Sequence, residues 1–163
     1  MILIVFGLPG TGKSFFAKHM VEEIEAVHLN TDVVRKESGL QGQYDEKTKE
    51  TVYKLLLKKT TAHVSENMNV IVDGTFQKKP IRDRFRDKAK QLGQQVFFIE
   101  IKADDETVKQ RLKTERDYSE ADFKIYLQIK KSFETMGEPH LILWSDKANI
   151  NEMVKKAKAY IDG

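Results

Sequence analysis

The chain has 163 residues, of which 33% are charged and 40% hydrophobic, and its formal net charge is +3. This length predicts a single domain over residues 1–163, and no apolar run is long enough for a membrane span. Because the sequence contains no cysteine, disulfides, thiol nucleophiles and thiolate metal sites are excluded, and we expect a cytoplasmic protein. The small positive charge is compatible with an anionic substrate but does not require nucleic acid.

The first predicted element is a β-strand at the apolar run Ile2–Phe6. Residues 7–14 then read GLPGTGKS, which matches the phosphate-binding pattern G-x-x-x-x-G-K-[ST], and a helical pattern follows. Glycines let main-chain N–H groups approach phosphates, the lysine reaches the β- and γ-phosphates, and the serine hydroxyl can bind Mg²⁺. We expect ATP to be bound by Gly7, Pro9, Gly10, Thr11, Gly12, Lys13, Ser14 and Phe15.

Further apolar runs alternate with helical patterns along the rest of the chain. Strands are predicted at residues 26–30, 70–73, 96–101 and 140–144, and helices at about 45–66, before Gly93 and from Ile150. Nearly continuous apolar strands that alternate with helices predict an α/β fold, in which helices cover both faces of a parallel sheet. Ligands of such sheets bind beyond the carboxyl ends of the strands.

The second predicted strand runs into the sequence NTDVVR at residues 30–35. Asp32 is expected beside the glycine loop, where its carboxylate can accept the proton of a hydroxyl that attacks the γ-phosphate. Arg35 falls on the same helix face, where its guanidinium can hold an acceptor phosphate or the transferring phosphoryl group. The alternative is that Thr31 or Asp32 simply caps the helix.

The third predicted strand ends in Asp73, followed by Gly74 and Thr75. A carboxylate at this place resembles the Walker-B aspartate that holds Mg²⁺ or its water shell, so Ser14 and Asp73 are the metal-site candidates. The alternative is an aspartate that only forms the turn before Gly74. In the basic run of residues 78–90, most charges are expected on a solvated face, and Arg82 is the candidate for substrate contact.

The motifs GLPGTGKS, NTDVVR, VDGT and RLKTER follow one another over most of the chain, from about residue 1 to 133. In this the chain resembles the P-loop kinases related to polynucleotide kinase and to the zeta-toxin-like ATP-binding proteins, among the AAA-type ATP-binding domains. The resemblance implies a three-layer P-loop NTPase fold whose five parallel strands have the order 2-3-1-4-5. It also implies that Asp32 is a general base and that Arg35 contacts the acceptor or a phosphate.

The same resemblance implies an arginine-bearing lid over the phosphates, for which we expect a segment of about residues 111–120. A lid arginine neutralises charge on the transferring group and excludes water, and the candidates are Arg111 and Arg116. The alternative is a surface helix whose arginines pair with nearby acids. Relatives often have threonine after the P-loop serine, whereas this chain has Phe15, which is expected to narrow the space behind the loop.

Together these patterns predict an ATP- and Mg²⁺-dependent phosphotransferase that acts on a hydroxyl group. The acceptor is either a small molecule or the 5′-hydroxyl of a nucleic acid, and residues 39–44 are expected to flank its pocket. The alternative function is a non-catalytic or regulatory ATP-binding module. The sequence does not indicate the oligomeric state.

Overall fold

The computed structural model describes residues 1–114 and 120–163. The strands are β1 Ile2–Phe6, β2 Ala26–Asn30, β3 Asn69–Asp73, β4 Val96–Lys102 and β5 Leu141–Trp144. The helices are α1 Lys13–Ile24, α2 Thr31–Glu37, α3 Glu46–Ser65, α4 Lys79–Gln91, α5 Asp105–Lys113, α6 Glu120–Ser132 and α7 Ile150–Asp162. Within these two ranges, no helix is both long and apolar enough to cross a membrane.

The five strands form one parallel sheet with the order β2-β3-β1-β4-β5. This confirms the predicted α/β fold and the strand order implied by the family resemblance. The predicted strand boundaries differ from the observed ones by one residue at the start of β3 and β5 and at the end of β4.

The central strand β1 is buried on both faces, which explains its uninterrupted apolar sequence. Its residues Ile2, Ile4 and Phe6 pack in a core with side chains of α3 and α4. The alternate residues, Leu3 and Val5, pack in a second core with α1 and α7. Helices therefore cover both faces of the sheet and leave its carboxyl edge for a site.

The strand register brings three chain segments together at that edge. Val5 of β1 and Asn30 of β2 both pair with Asp73 at the end of β3, and Gly7 follows β1 directly. Gly7 has φ 140°, and a Cβ at this position would collide with the carbonyl oxygen of Ile101. Only glycine fits between β1 and β4 here, because both the backbone conformation and the close approach exclude a side chain.

Candidate active site

The P-loop connects β1 to α1, and its glycines adopt left-handed conformations, with φ 74° at Gly10 and φ 93° at Gly12. Gly12 is the N-cap of α1 and offers no side-chain cap, so the first N–H groups of the helix remain available to an anion. Two side chains bind the loop carbonyl of Leu8: Lys13 Nζ donates at 2.9 Å and Thr11 Oγ1 at 2.8 Å. Lys13 is thus hydrogen-bonded to the loop itself, and the N–H groups at the start of α1 remain free of a side-chain cap.

Lys13 is partly buried at the start of α1. Burial lowers the pKa of its ammonium group, and the negative charges of Asp73 and Asp32 offset only part of this effect. The cation is therefore less favourable in the folded protein than in water, although two carboxylates lie within electrostatic range. An anionic phosphate would supply the charge that the site lacks.

Phe15 does not occupy the space behind the P-loop, so that expectation from the sequence is wrong. Its side chain is 60% exposed, and its ring centre lies 4.5 Å from that of His19, one turn along α1, with the two rings tilted by 56°. The first turn of the helix points this side chain to solvent, and the buried position is taken by Phe16.

Asp73 is fully buried at the end of β3. Its Oδ2 accepts a 2.7 Å hydrogen bond from Asn30 Nδ2 and lies 3.4 Å from His28 Nε2. Burial alone would raise the pKa of Asp73, but the nearby His28 side chain, the Lys13 charge, the nearby Ser14 hydroxyl and the hydrogen bond from Asn30 outweigh it, and the net shift is downward. Asp73 is therefore held as a carboxylate.

The other oxygen of this carboxylate suits a hard cation. Asp73 Oδ1 is buried and has no hydrogen-bond partner among the described residues, and the Ser14 hydroxyl is joined to Asp73 through Asn30. Mg²⁺ takes oxygen ligands and keeps several of its waters. Ser14 and Asp73 thus fit the metal that the sequence predicts, as ligands of the ion or of its water shell.

Helix α2 starts immediately after β2, and Asn30 caps it. Asn30 Oδ1 accepts hydrogen bonds from the backbone N–H groups of Asp32 at 2.7 Å and Val33 at 3.2 Å. The alternative in which Thr31 or Asp32 is the cap is therefore wrong. Asp32 lies in the first helical turn, where the helix dipole favours a negative charge. Its carboxylate does not cap the helix.

Asp32 and Arg35 line a hollow formed by α2 and the residues that follow it. Arg35 Nη1 donates to Asp32 Oδ1 at 2.8 Å, and the guanidinium lies 4.6 Å from the ring centre of Tyr44. The hollow has a volume of about 270 Å³ and is lined by Asp32, Val33, Arg35, Lys36, Gln41 and Tyr44. The segment expected to flank an acceptor pocket does contribute to this hollow.

Arg111 approaches the P-loop from the opposite side. Its Nη1 donates to the carbonyl of Gly10 at 3.3 Å and to Ser145 Oγ at 2.9 Å, and its Nη2 donates to the Ser145 carbonyl at 3.2 Å. Ser145 Oγ in turn donates to the carbonyl of Thr11 at 2.6 Å. Arg111 is thus tied to the loop backbone, whereas Arg116, the other lid candidate, lies outside the described residues.

Arg82 does not face the site, which corrects the suggestion that it contacts substrate. It is 1% exposed, and its guanidinium donates to the carbonyls of Phe76 at 2.7 Å and Glu134 at 2.8 Å. Burial lowers the pKa of Arg82, and nearby acids, Glu134 first, oppose the shift. Its role is to join the β3–α4 connection to the segment after α6.

The family model described as an AAA domain matches residues 2–136 of the chain. This chain belongs to the AAA domain family. The match spans the P-loop, the strand ends with Asp32 and Asp73, and Arg111. The narrower likeness to polynucleotide kinase and zeta-toxin-like proteins stays a prediction.

Solved structures similar to this AAA domain share its fold at low sequence identity. A sugar kinase from a Janibacter species has a TM-score of 0.77 at 15% identity, with 99% of this chain and 94% of that chain covered. The Mycobacterium tuberculosis APS kinase CysC in complex with AMPPNP and APS has a TM-score of 0.75 at 14% identity, with 99% and 97% covered. A gluconokinase from Sinorhizobium meliloti has a TM-score of 0.72 at 14% identity, with 96% and 89% covered.

Two residues of this site, Asn30 and His28, are not marked by any motif of the sequence. Asn30 ends a predicted strand, but asparagine just before a helical pattern is also a known capping signal, which could have indicated its role. His28 has no metal-ligand spacing, and nothing in its sequence context signals the contact with Asp73. That contact arises only because β2 pairs with β3 in the folded sheet.

Proposed function

We propose that this protein is an ATP-dependent kinase that transfers the γ-phosphate to a hydroxyl group of a small molecule. The observation that carries the proposal is the hollow of about 270 Å³ lined by Asp32 and Arg35. The helix that carries both residues is linked to the P-loop, because Asn30 caps this helix and also donates to Ser14. A phosphate site and an acid-base pair next to a small cavity suit transfer between two bound molecules.

The nucleotide side of the reaction is assigned to the P-loop. The backbone N–H groups from Gly10 to Ser14 and the N-terminus of α1 would bind the polyphosphate. Lys13 would leave its 2.9 Å hydrogen bond to the Leu8 carbonyl and turn to the β- and γ-phosphates. Mg²⁺ held by Ser14 and Asp73 would neutralise developing charge on the phosphate oxygens.

The acceptor side is assigned to α2. The acceptor hydroxyl oxygen attacks the γ-phosphorus, the new P–O bond forms, and the bond to the β–γ bridging oxygen breaks, which releases ADP. The hydroxyl proton passes to the carboxylate of Asp32. Arg35, which is bound to Asp32 and packed against Tyr44, would orient that carboxylate and contribute positive charge near the transferring group.

The arginines of the predicted lid are assigned to the phosphate groups. Arg111 is already fixed against the P-loop by the Gly10 carbonyl and Ser145, so it would stabilise phosphate charge from that side. Residues 111–120 with Arg116 would close over the phosphates, as the family resemblance implies. Exclusion of water by such closure favours transfer to the acceptor over hydrolysis.

The choice of a small acceptor rests on the size and lining of the hollow. A cavity of about 270 Å³ lies just below the usual range for small-molecule pockets, which starts at about 300 Å³, so it suits a small acceptor. Lys36 and Arg35 give it positive charge, and Gln41 and Tyr44 add polar groups, which suits a polar or anionic hydroxyl compound. A sugar kinase, a gluconokinase and an APS kinase share the fold, and their names also point to small acceptors.

The test is transfer of label from γ-labelled ATP with Mg²⁺ to a panel of sugars, sugar acids, nucleosides and 5′-hydroxyl oligonucleotides. We expect label on one small hydroxyl compound and none on the oligonucleotides, with Asp32→Asn as the inactive control. Label on oligonucleotide ends would replace the small acceptor by a nucleic acid. Tight ATP binding without transfer to any compound would leave a nucleotide-binding module and overturn the proposal.

A further inference from the structure

The side chain of Asn30 uses its entire hydrogen-bonding capacity at the centre of the site. Its Oδ1 accepts from the N–H groups of Asp32 at 2.7 Å and Val33 at 3.2 Å. Its Nδ2 donates to Asp73 Oδ2 at 2.7 Å and to Ser14 Oγ at 3.2 Å. A carboxamide has two donor hydrogens and two acceptor lone pairs, so all four positions are filled.

The chemistry of the neighbours fixes which way the amide points. The helix N-terminus offers only N–H donors, so it must face the amide oxygen, and the Asp73 carboxylate offers only acceptors, so it must face the NH₂ group. Reversing the amide would set donor against donor and acceptor against acceptor. Asn30 therefore has a single arrangement that serves both sides.

The two sides of this amide belong to the two halves of the proposed reaction. Ser14 and Asp73 are the residues that fit Mg²⁺, while α2 carries Asp32 and Arg35 against the acceptor hollow. Helix α2 has seven residues, so its first turn, which Asn30 caps, is a large part of the element. A displacement of Ser14 or Asp73 would therefore move α2 as well, because the planar side-chain amide of Asn30 is hydrogen-bonded to both sides.

We propose that Asn30 is a positioning residue that couples the metal and phosphate side of the site to the acceptor helix α2. Asn30 touches no reacting atom and acts through Asp73, Ser14 and the first turn of α2. The coupling rests on the proposed function in that α2 is taken as the acceptor side. When Mg²⁺ and the nucleotide are bound near Ser14 and Asp73, the side-chain amide of Asn30 would hold α2 in one position. Asp32, which lies on α2, would be held with it.

The test separates the donor role of Asn30 from its capping role. Asn30→Ser keeps a residue that caps helices well but removes the amide that donates to Asp73. The matched control is Asn149→Ser at α7, because Asn149 is also an N-cap, accepting from Glu152 N–H at 3.0 Å, and lies outside the proposed site. Asn30→Thr is the second variant, since threonine also caps helices and has no amide to donate to Asp73.

The first readout is AMPPNP affinity by calorimetry, with and without Mg²⁺, which does not depend on turnover. We expect Asn30→Ser and Asn30→Thr to reduce the gain in affinity due to Mg²⁺ by at least about fivefold, the effect of losing one charge-assisted hydrogen bond. Asn149→Ser should leave that gain unchanged. An unchanged gain in both Asn30 variants, or an equal loss in Asn149→Ser, would overturn the proposal.

The second readout is amide hydrogen exchange of residues 31–37 when Mg²⁺ and AMPPNP are added. We expect exchange in α2 to slow in the wild type and in Asn149→Ser, and to remain unchanged in the Asn30 variants. Equal slowing in wild type and Asn30 variants would overturn the coupling. Because both readouts use a non-hydrolysable nucleotide, they hold even if the labelled-ATP panel shows no acceptor, which separates this proposal from the proposed function.

Discussion

Asp32 and Arg35 form an ion pair in which one partner is open to solvent and the other is not. The carboxylate side chain is 77% exposed and the guanidinium side chain 8% exposed. Arg35 is thus fixed by its burial and by Tyr44, and it holds an accessible carboxylate at the rim of the hollow. This arrangement differs from a surface ion pair, in which both partners are mobile and the net energy is small.

We expect Asp32→Asn to abolish most phosphoryl transfer while leaving the fold and ATP binding intact. The amide still accepts the Arg35 hydrogen bond, but it cannot take up the proton of the acceptor hydroxyl, and loss of such a base costs about 10²–10⁴-fold in rate. Steady-state kinetics with the acceptor from the labelled-ATP panel, and calorimetry with AMPPNP, measure the two effects.

The control for this prediction is Asp83→Asn. Asp83 and Arg86 form the same i,i+3 pair on α4, with Arg86 Nη1 donating to Asp83 Oδ1 at 2.7 Å, outside the proposed site. Its substitution should leave the rate within about twofold of wild type, as expected for a surface ion pair. If Asp32→Asn keeps a near-normal rate, or if it loses nucleotide affinity and unfolds, Asp32 is not the base.

Lys13→Met is expected to remove phosphoryl transfer without lowering the melting temperature. Burial lowers the pKa of Lys13, so the folded state disfavours the charge that the substitution deletes, and methionine has a similar length. Loss of a donor to the transferring group costs about a hundredfold or more in rate. Thermal melts by circular dichroism and single-turnover transfer would show the contrast with Lys18→Met, which is exposed on the same helix.

A variant Lys13→Met that transfers phosphate at the wild-type rate would contradict the assignment of the P-loop to ATP. A large fall in melting temperature would contradict the stability half of the prediction. It would show that the hydrogen bond to Leu8 matters more than the cost of burying the cation.

The fold could be predicted because its signals are local. The P-loop pattern, the apolar run of β1 and the helical pattern from Ile150 each lie within a short stretch, and the strand order followed from the family resemblance. Candidate site residues could be named from the sequence only where a motif marked them, as for Lys13, Asp32 and Asp73. The expectation for Phe15 failed because the side-chain direction depends on where α1 begins, and that point is set by Gly12.

The remaining site residues depend on contacts between distant parts of the chain. His28 meets Asp73 because β2 pairs with β3, and Arg82 is buried because carbonyls of two separate segments accept its hydrogen bonds. In the sequence, Arg82 is one of several basic residues in a charged run. Spacing alone does not reveal which of these side chains is turned inward by tertiary structure.

We expect Arg111→Ala to weaken ATP binding by loosening the P-loop. The substitution removes the hydrogen bonds to the Gly10 carbonyl and to Ser145, and charge-assisted bonds of this kind contribute about 1.5–3 kcal/mol each. Allowing for partial exposure, we expect the KM for ATP to rise by about tenfold. Ser145→Ala, which also removes the bond to the Thr11 carbonyl, should act in the same direction.

The charge-matched control for Arg111 is Lys113→Ala, because Lys113 is exposed on the same helix. It should leave the KM for ATP unchanged. If Arg111→Ala lowers kcat and leaves the KM for ATP alone, Arg111 acts on the transferring phosphoryl group rather than on the loop. If it changes neither constant, both roles are excluded.

We expect acid to weaken the contact between α5 and α6, the two helices that pack with Leu8 of the P-loop. Asp105 at the start of α5 accepts hydrogen bonds from Lys130 and Tyr126 of α6. These bonds, with Lys130 first, lower the pKa of Asp105 in the folded protein. Tyr126, Val108 and Leu112 pack with Leu8 of the P-loop. The contact between α5 and α6 therefore supports the loop.

A folded-state pKa below the unfolded value of about 3.9 means that the unfolded chain binds the proton more readily. The stabilisation from Asp105 is therefore complete above about pH 5 and is lost as the pH falls through the folded-state pKa. Asp105→Asn keeps an acceptor but does not titrate. The difference in free energy of unfolding between wild type and this variant should shrink from pH 6 to pH 3, measured by urea denaturation. The control is Asp87→Asn, on the exposed face of α4. The assignment to Asp105 would be contradicted if the free-energy difference for Asp105→Asn stays constant from pH 6 to pH 3. It would also be contradicted if the free-energy difference for Asp87→Asn shrinks equally.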